Sequence, residues 1–178
     1  MALKEVSSKE LKKMNVLAEQ LIKRRGECIH WMSEIESELD ELIIYNFIKK
    51  ECGKQFFEIL LWEDFRFRTK IRLFGEIPLH DKDTQSQLVK ELGKLASIRN
   101  KYAHCLSIVT LEETFLINKK LKPYKVDDEV FDKFKERALK TLWALKAILL
   151  SQKGIDPKTL GSAKMVWMPT DKMKSGYS

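Results

Sequence analysis

A chain of 178 residues, 44% of them hydrophobic and 33% charged, has the length for one compact domain with a substantial core and is too apolar to be disordered. Its 33 Lys and Arg against 26 Asp and Glu leave a formal net charge of +7, which favours polyanionic partners through the summed field. No apolar run reaches bilayer length, Met1 to Glu5 hold no signal-peptide core, and Cys28, Cys52 and Cys105 are odd in number and far apart. A cytoplasmic protein with reduced thiols and no membrane partner is therefore expected.

Ser7 and Ser8 offer hydroxyl caps for a first helix with apolar or small residues at Leu11, Met14, Leu17, Ala18, Leu21 and Ile22, which Gly26 is expected to break or bend. A second helical pattern follows at Ile35, Leu39, Leu42, Ile43 and Phe47, with Glu34, Glu36, Glu38, Asp40 and Glu41 on and beside its flank; Gly53 ends it. Phe56 to Trp62 reads as a short buried helix. Asp64 is placed to cap the next segment, where Phe65, Phe67, Ile71 and Leu73 alternate with Arg66, Arg68, Lys70 and Arg72. Gly75 and Pro78 break the chain, residues 81–85 read as a surface loop, and Asp83 or Thr84 starts a helix carrying Leu88, Leu92, Leu95 and Ala96. Ile108, Val109 and Thr110 suggest a strand or extended loop between Ser107 and Phe115. Asp127 or Asp128 caps a last amphipathic helix running from Val130 to Leu149, which Gly154 and Pro157 stop. The pattern predicts an all-α antiparallel bundle of about five to six helices with one short extended segment. Residues 1–151 form a single domain, and residues 152–178 are expected to be a flexible basic tail.

One charge interrupts this regularity. At about 100° per residue, Arg99 falls near the middle of the apolar stripe that runs from Leu88 through Leu95 to Tyr102. A guanidinium there is costly unless it is paired, hydrogen-bonded or open to a cleft. Asn100 and His104 are i,i+4 neighbours whose side chains meet on another face. Together the three offer the equipment of RNA cleavage: an imidazole for proton transfer, a guanidinium for a pentacoordinate phosphate, and an amide to orient sugar or phosphate. The plainer accounts are an Arg99 paired with an acid such as Glu34 or Glu38, and a His104 that only complements the helix macrodipole.

The string Arg99-Asn100-Lys101-Tyr102-Ala103-His104 resembles the signature of the HEPN superfamily: an Arg, usually a polar residue, then a His after four to six intervening positions. The motif lies late in its helix, a further long helix follows, and Lys70 to Leu73 after an aromatic segment resembles the helix preceding the motif in mannitol-repressor-like branches. The likeness covers about residues 30–150. It implies a helical bundle that dimerises with two motifs facing each other across a cleft. Its catalytic members are endoribonucleases without metal or cofactor, many of them toxins, abortive-infection proteins or other antiviral defence effectors. Carried over by position, Arg99 and His104 are the catalytic pair, Asn100 the supporting polar residue, and Tyr102 and Ala103 packing residues. Leu106 stands where toxins controlled by nucleotidyl transfer carry Tyr, which speaks against that mode of control. The mannitol-repressor-like branch implies the alternative, a regulatory or adaptor module that binds protein or nucleic acid.

Arg66, Arg68, Lys70 and Lys101 are the further candidates for holding substrate, the first three interleaved with aromatics suited to stacking on bases; the plainer account is a buried aromatic face with a solvated basic one. His30, His80 and His104 have no metal-ligand spacing with one another or with the cysteines, so no metal site is expected. The expected partners are a second copy of the chain, RNA, and an antitoxin or regulatory protein.

Overall fold

The structure is a computed structural model that describes residues 7–47, 66–110, 113–117 and 123–156. Its first element starts on a capping box: the Ser7 amide donates to Glu10 Oε2 at 2.7 Å and the Glu10 amide to Ser7 Oγ at 3.3 Å. Helix α1 then runs without a break over Ser8–Phe47, so the two helices expected here are one. Gly26 does not divide it, because the buried stripe Leu21, Arg24, Cys28, Met32, Ile35, Leu39 and Leu42 continues past it on the other face. A helical glycine costs only about 1 kcal/mol relative to alanine, less than the burial of that stripe stabilises. Gly26 is exposed, and a methyl group placed on it meets nothing within 4 Å. Gly26→Ala is therefore expected to stabilise the fold by about 0.5–1 kcal/mol, read as a higher urea midpoint at unchanged slope.

Helix α2 spans Phe67–Glu76 and α3 spans Lys82–His104. Asp81, rather than Asp83 or Thr84, caps α3: its Oδ1 accepts the Thr84 amide at 2.9 Å and its Oδ2 the Thr84 hydroxyl at 2.6 Å. The stretch 82–85 is thus helix and not loop. Its Gln85 is buried and donates to the Phe74 carbonyl at 2.6 Å and the Ile77 carbonyl at 2.8 Å, adding a further donor to carbonyls at the end of α2 that already accept the Ile77 and Leu79 amides.

After α3 the chain forms a three-stranded antiparallel meander, β1 (Leu106–Val109), β2 (Thr114–Ile117) and β3 (Pro123–Lys125), in the order β1-β2-β3. The expected extended segment is therefore the first part of a sheet. Thr114 and Leu116 are buried on its inner face. The outer face pairs Leu106 with Ile117 and Ile108 with Phe115, an apolar surface turned outward. Helix α4, Asp128–Gln152, starts where Asp127 Oδ1 accepts the Val130 amide at 2.9 Å. It ends at Gly154, whose φ of 74° is the left-handed conformation that glycine adopts without strain. Gln152 exchanges amide hydrogen bonds with Asn46 at 2.9 and 3.0 Å, and Lys153 reaches Glu41 at 3.5 Å. Helix α4 and its cap run past residue 151, and residues 157–178 lie outside the described residues.

Helix α1 is the hub and touches α2, α3, α4 and the sheet. Phe74, Phe134, Leu39, Leu92 and Leu145 are among the side chains sealed between them. Among the described residues there are four helices beside the sheet, fewer than the five or six expected: two merge in α1, and one expected helix falls outside the described residues. The helix expected over Phe56 to Trp62, its Gly53 boundary and the Asp64 cap lie outside the described residues. No described helix is long and apolar enough to cross a membrane.

Candidate functional site

Helical phase decides how the motif is displayed. Leu88, Leu92, Leu95 and Tyr102 are the buried side of α3, and Arg99 lies within that sector. It is half-buried and exits at the margin, where its Nη1 donates to Asn100 Oδ1 at 3.2 Å. The long side chain thus turns back from the core onto its neighbour's amide. Asn100 and His104 are exposed on the opposite side, and the His104 backbone lies about 140° around the helix from that of Arg99. Arg99 and Asn100 are brought together; the His104 imidazole makes no hydrogen bond or ion pair among the described residues.

Neither expected acid reaches Arg99. Glu34 is exposed, and Glu38 holds Lys146 of α4 at 3.5 Å. Burial raises the Glu38 pKa, against the pull of Lys146 and with a push from Glu41. Among the described residues no carboxylate lies within ion-pair distance of Arg99, so its charge is not neutralised by a structural bridge. The Arg99 charge does act on Cys28 of α1. Burial pushes that thiol up to about 12, and the Arg99 charge pulls the other way. Tyr102, beside Cys28, is likewise pushed up to about 12 by burial and packs edge-on against Phe131, with centroids 5.8 Å apart. It is a packing residue.

The basic residues upstream do not form one face. Their alternation would align them only in a strand, and the segment is helical. Arg66 and Arg68 are exposed at the start of α2. Lys70 falls with Phe67, Ile71 and Phe74 on the buried side, 2% exposed, its ammonium 2.8 Å from both Asp40 Oδ2 and Glu36 Oε1. Buried and held by two carboxylates, it is placed as a structural cation rather than on a surface open to a substrate, unlike the reading of Lys70 as a substrate residue. Lys101 is half-buried with its ammonium 3.9 Å above the Tyr124 ring, tying the end of α3 to β3.

Two cations on α1 escaped the sequence reading. Arg24 donates to the Val126 carbonyl at 3.1 Å and pairs with Asp128, locking α1 to the start of α4. Arg25 Nη2 donates at 2.5 Å to the carbonyl of Cys105, the residue that ends α3 directly after His104. The signal was present: Arg24 sits i+3 from Leu21 and i−4 from Cys28, a charge inside an apolar stripe, as Arg99 is. Among the described residues no group of three or more His, Cys, Asp or Glu side chains is placed to hold a metal ion. No family model, no curated protein and no solved structure matches the chain.

Proposed function

We propose that the chain is a HEPN-type endoribonuclease of the toxin or defence-effector kind, acting on RNA as a homodimer without a metal. The observation that carries this reading is the half-buried Arg99, whose guanidinium meets a neutral amide and, among the described residues, no carboxylate. A cation kept unneutralised at the edge of a core is costly as mere scaffolding and well suited to a developing phosphorane. In this chemistry His104 takes the proton of the 2′-hydroxyl as its oxygen attacks phosphorus. The bond from phosphorus to the 5′-oxygen breaks, and the partner subunit's His104, as imidazolium, protonates that leaving oxygen. Arg99 stabilises the charge on the equatorial oxygens, and Asn100 holds the guanidinium in place.

The surface beside His104 supports the dimer. Leu106 is 74% exposed and Ile108 43% exposed on β1, whose far edge has no strand partner among the described residues. An apolar outward face beside an open strand edge is what a second copy covers. Leu106→Glu is expected to convert dimer to monomer by sedimentation velocity and to lower cleavage in parallel.

The test is incubation of the purified chain with mixed RNA in EDTA. Products ending in 2′,3′-cyclic phosphate are expected, and intact RNA over a range of protein concentrations would sink the reading. The position of His104, exposed and far around the helix from Arg99, favours a second reading: a non-catalytic HEPN regulatory or adaptor module. That module binds its partner equally well with His104→Ala and cleaves nothing.

A further inference from the structure

Helix α1 carries a second apolar stripe that the fold leaves uncovered. Its core side is set by Leu21, Arg24, Cys28, Met32 and Ile35, and no described residue of α1 before Leu21 is buried. About a quarter turn away, Leu11, Asn15, Ala18, Ile22, Arg25 and Ile29 follow one another at alternating intervals of four and three residues. That spacing keeps side chains along one seam of a helix pair. Leu11, Ile22 and Ile29 are exposed, Ile22 to 69%, and Ala18 is half-buried. Helix α1 is already formed, so covering the seam does not have to order it. The seam also adjoins β1: Arg25 holds the Cys105 carbonyl at 2.5 Å, and the next residue is the exposed Leu106.

The seam fits a second copy of itself running the opposite way. In a parallel pair each seam residue meets its own copy, so two Arg25 guanidiniums repel and two Ala18 methyl groups leave a gap. In an antiparallel pair with its two-fold axis at position 20, Leu11 meets Ile29, the small Ala18 meets the large Ile22, and the Asn15 amide meets Arg25. We propose that the chain dimerises through residues 11–29 of α1, laid antiparallel on the same stretch of a second copy. Because the core side of α1 stands about a quarter turn from the seam, the two-fold axis puts both bodies on one side of the helix pair. The two Arg25 positions, each tied to the end of its own α3, then stand about 15 Å apart along the helices. The contact gives the homodimer of the nuclease reading a defined surface and rests on that reading only for what the facing motifs do.

Sedimentation velocity of the full chain, without RNA, tests the contact. The native chain is expected to be a dimer, and Ile22→Glu, which seats a carboxylate in the apolar seam, to weaken it at least about tenfold. Thermal melting reports whether the variant folds. Should it not, Ile22→Ser is read instead, with a change in the same direction expected. The direction of pairing is read by mixing. Leu11→Glu and Ile29→Lys are each expected to dimerise weakly alone. Their equimolar mixture is expected to regain dimer, because antiparallel pairing sets position 11 against position 29. A monomeric native chain, an undiminished dimer in the folded Ile22 variant, or no recovery on mixing would overturn the inference. A dimer with the expected behaviour that cleaves no RNA refutes the nuclease reading alone. Cleavage by a dimer that Leu106→Glu splits and Ile22→Glu does not refutes this inference alone.

Discussion

His104→Ala is expected to slow RNA cleavage by about 10²–10⁴-fold, the usual contribution of a positioned general acid or base, with no measurable change in melting temperature. The second half of that expectation follows from the geometry. The imidazole is exposed and makes no hydrogen bond or ion pair among the described residues, so its removal leaves no cavity and no orphaned partner. Arg99→Ala should lose activity comparably but with some loss of stability, because the Arg99 stem is half-buried beside the core. Measuring rate and melting temperature for both variants separates chemistry from scaffolding. Equal cleavage by native and His104→Ala chains would remove the imidazole from the mechanism.

Lys70→Ala is expected to be the more damaging change for the fold, at about 3–5 kcal/mol. Its ammonium is buried between Asp40 and Glu36, and removal leaves Asp40 buried without its counter-charge; Asp40 Oδ1 already has no hydrogen-bond partner. Glu36 contributes less, being a third exposed and screened by water. The damage should depend on pH, and the sign follows from Asp40. Burial raises its pKa above the ordinary carboxylate value, against the pull of Lys70. A raised pKa means that the folded chain binds the proton more tightly than the unfolded one, so this contribution is lost as pH rises through the folded value. Without Lys70 the pKa rises further. The variant's deficit should therefore be largest near pH ~7 and shrink as acid protonates Asp40, measured as urea midpoints along a pH series. A deficit that stays constant with pH would show that the two groups are not coupled.

Much of the architecture is local chemistry and could be read directly. Asp127 caps α4, Gly154 ends it, and the apolar periods of α3 and α4 place Leu88, Leu92, Leu142 and Leu145 in the core, because caps and 3.6-residue stripes act within a few turns. Gly26 misled for a related reason: a propensity penalty acts on one residue, whereas the stripe of α1 is held by three other helices. Lys70 misled through its period, since a residue that shares an alternating face in a strand turns inward in a helix.

The candidate site divides along the same line. That Arg99 interrupts an apolar stripe, and that Asn100 and His104 share another face, follow from helical phase and were legible in the chain. Which charge meets which was not, because ion pairs join residues far apart in sequence. Glu36 and Asp40 go to Lys70, Glu38 to Lys146 and Glu41 to Lys153, and among the described residues Arg99 is left with an amide. Only packing α1 along α3 brings Arg25 to the carbonyl beside His104. Periodicity orients a side chain about its own helix axis; the neighbouring helix decides whether its charge is cancelled.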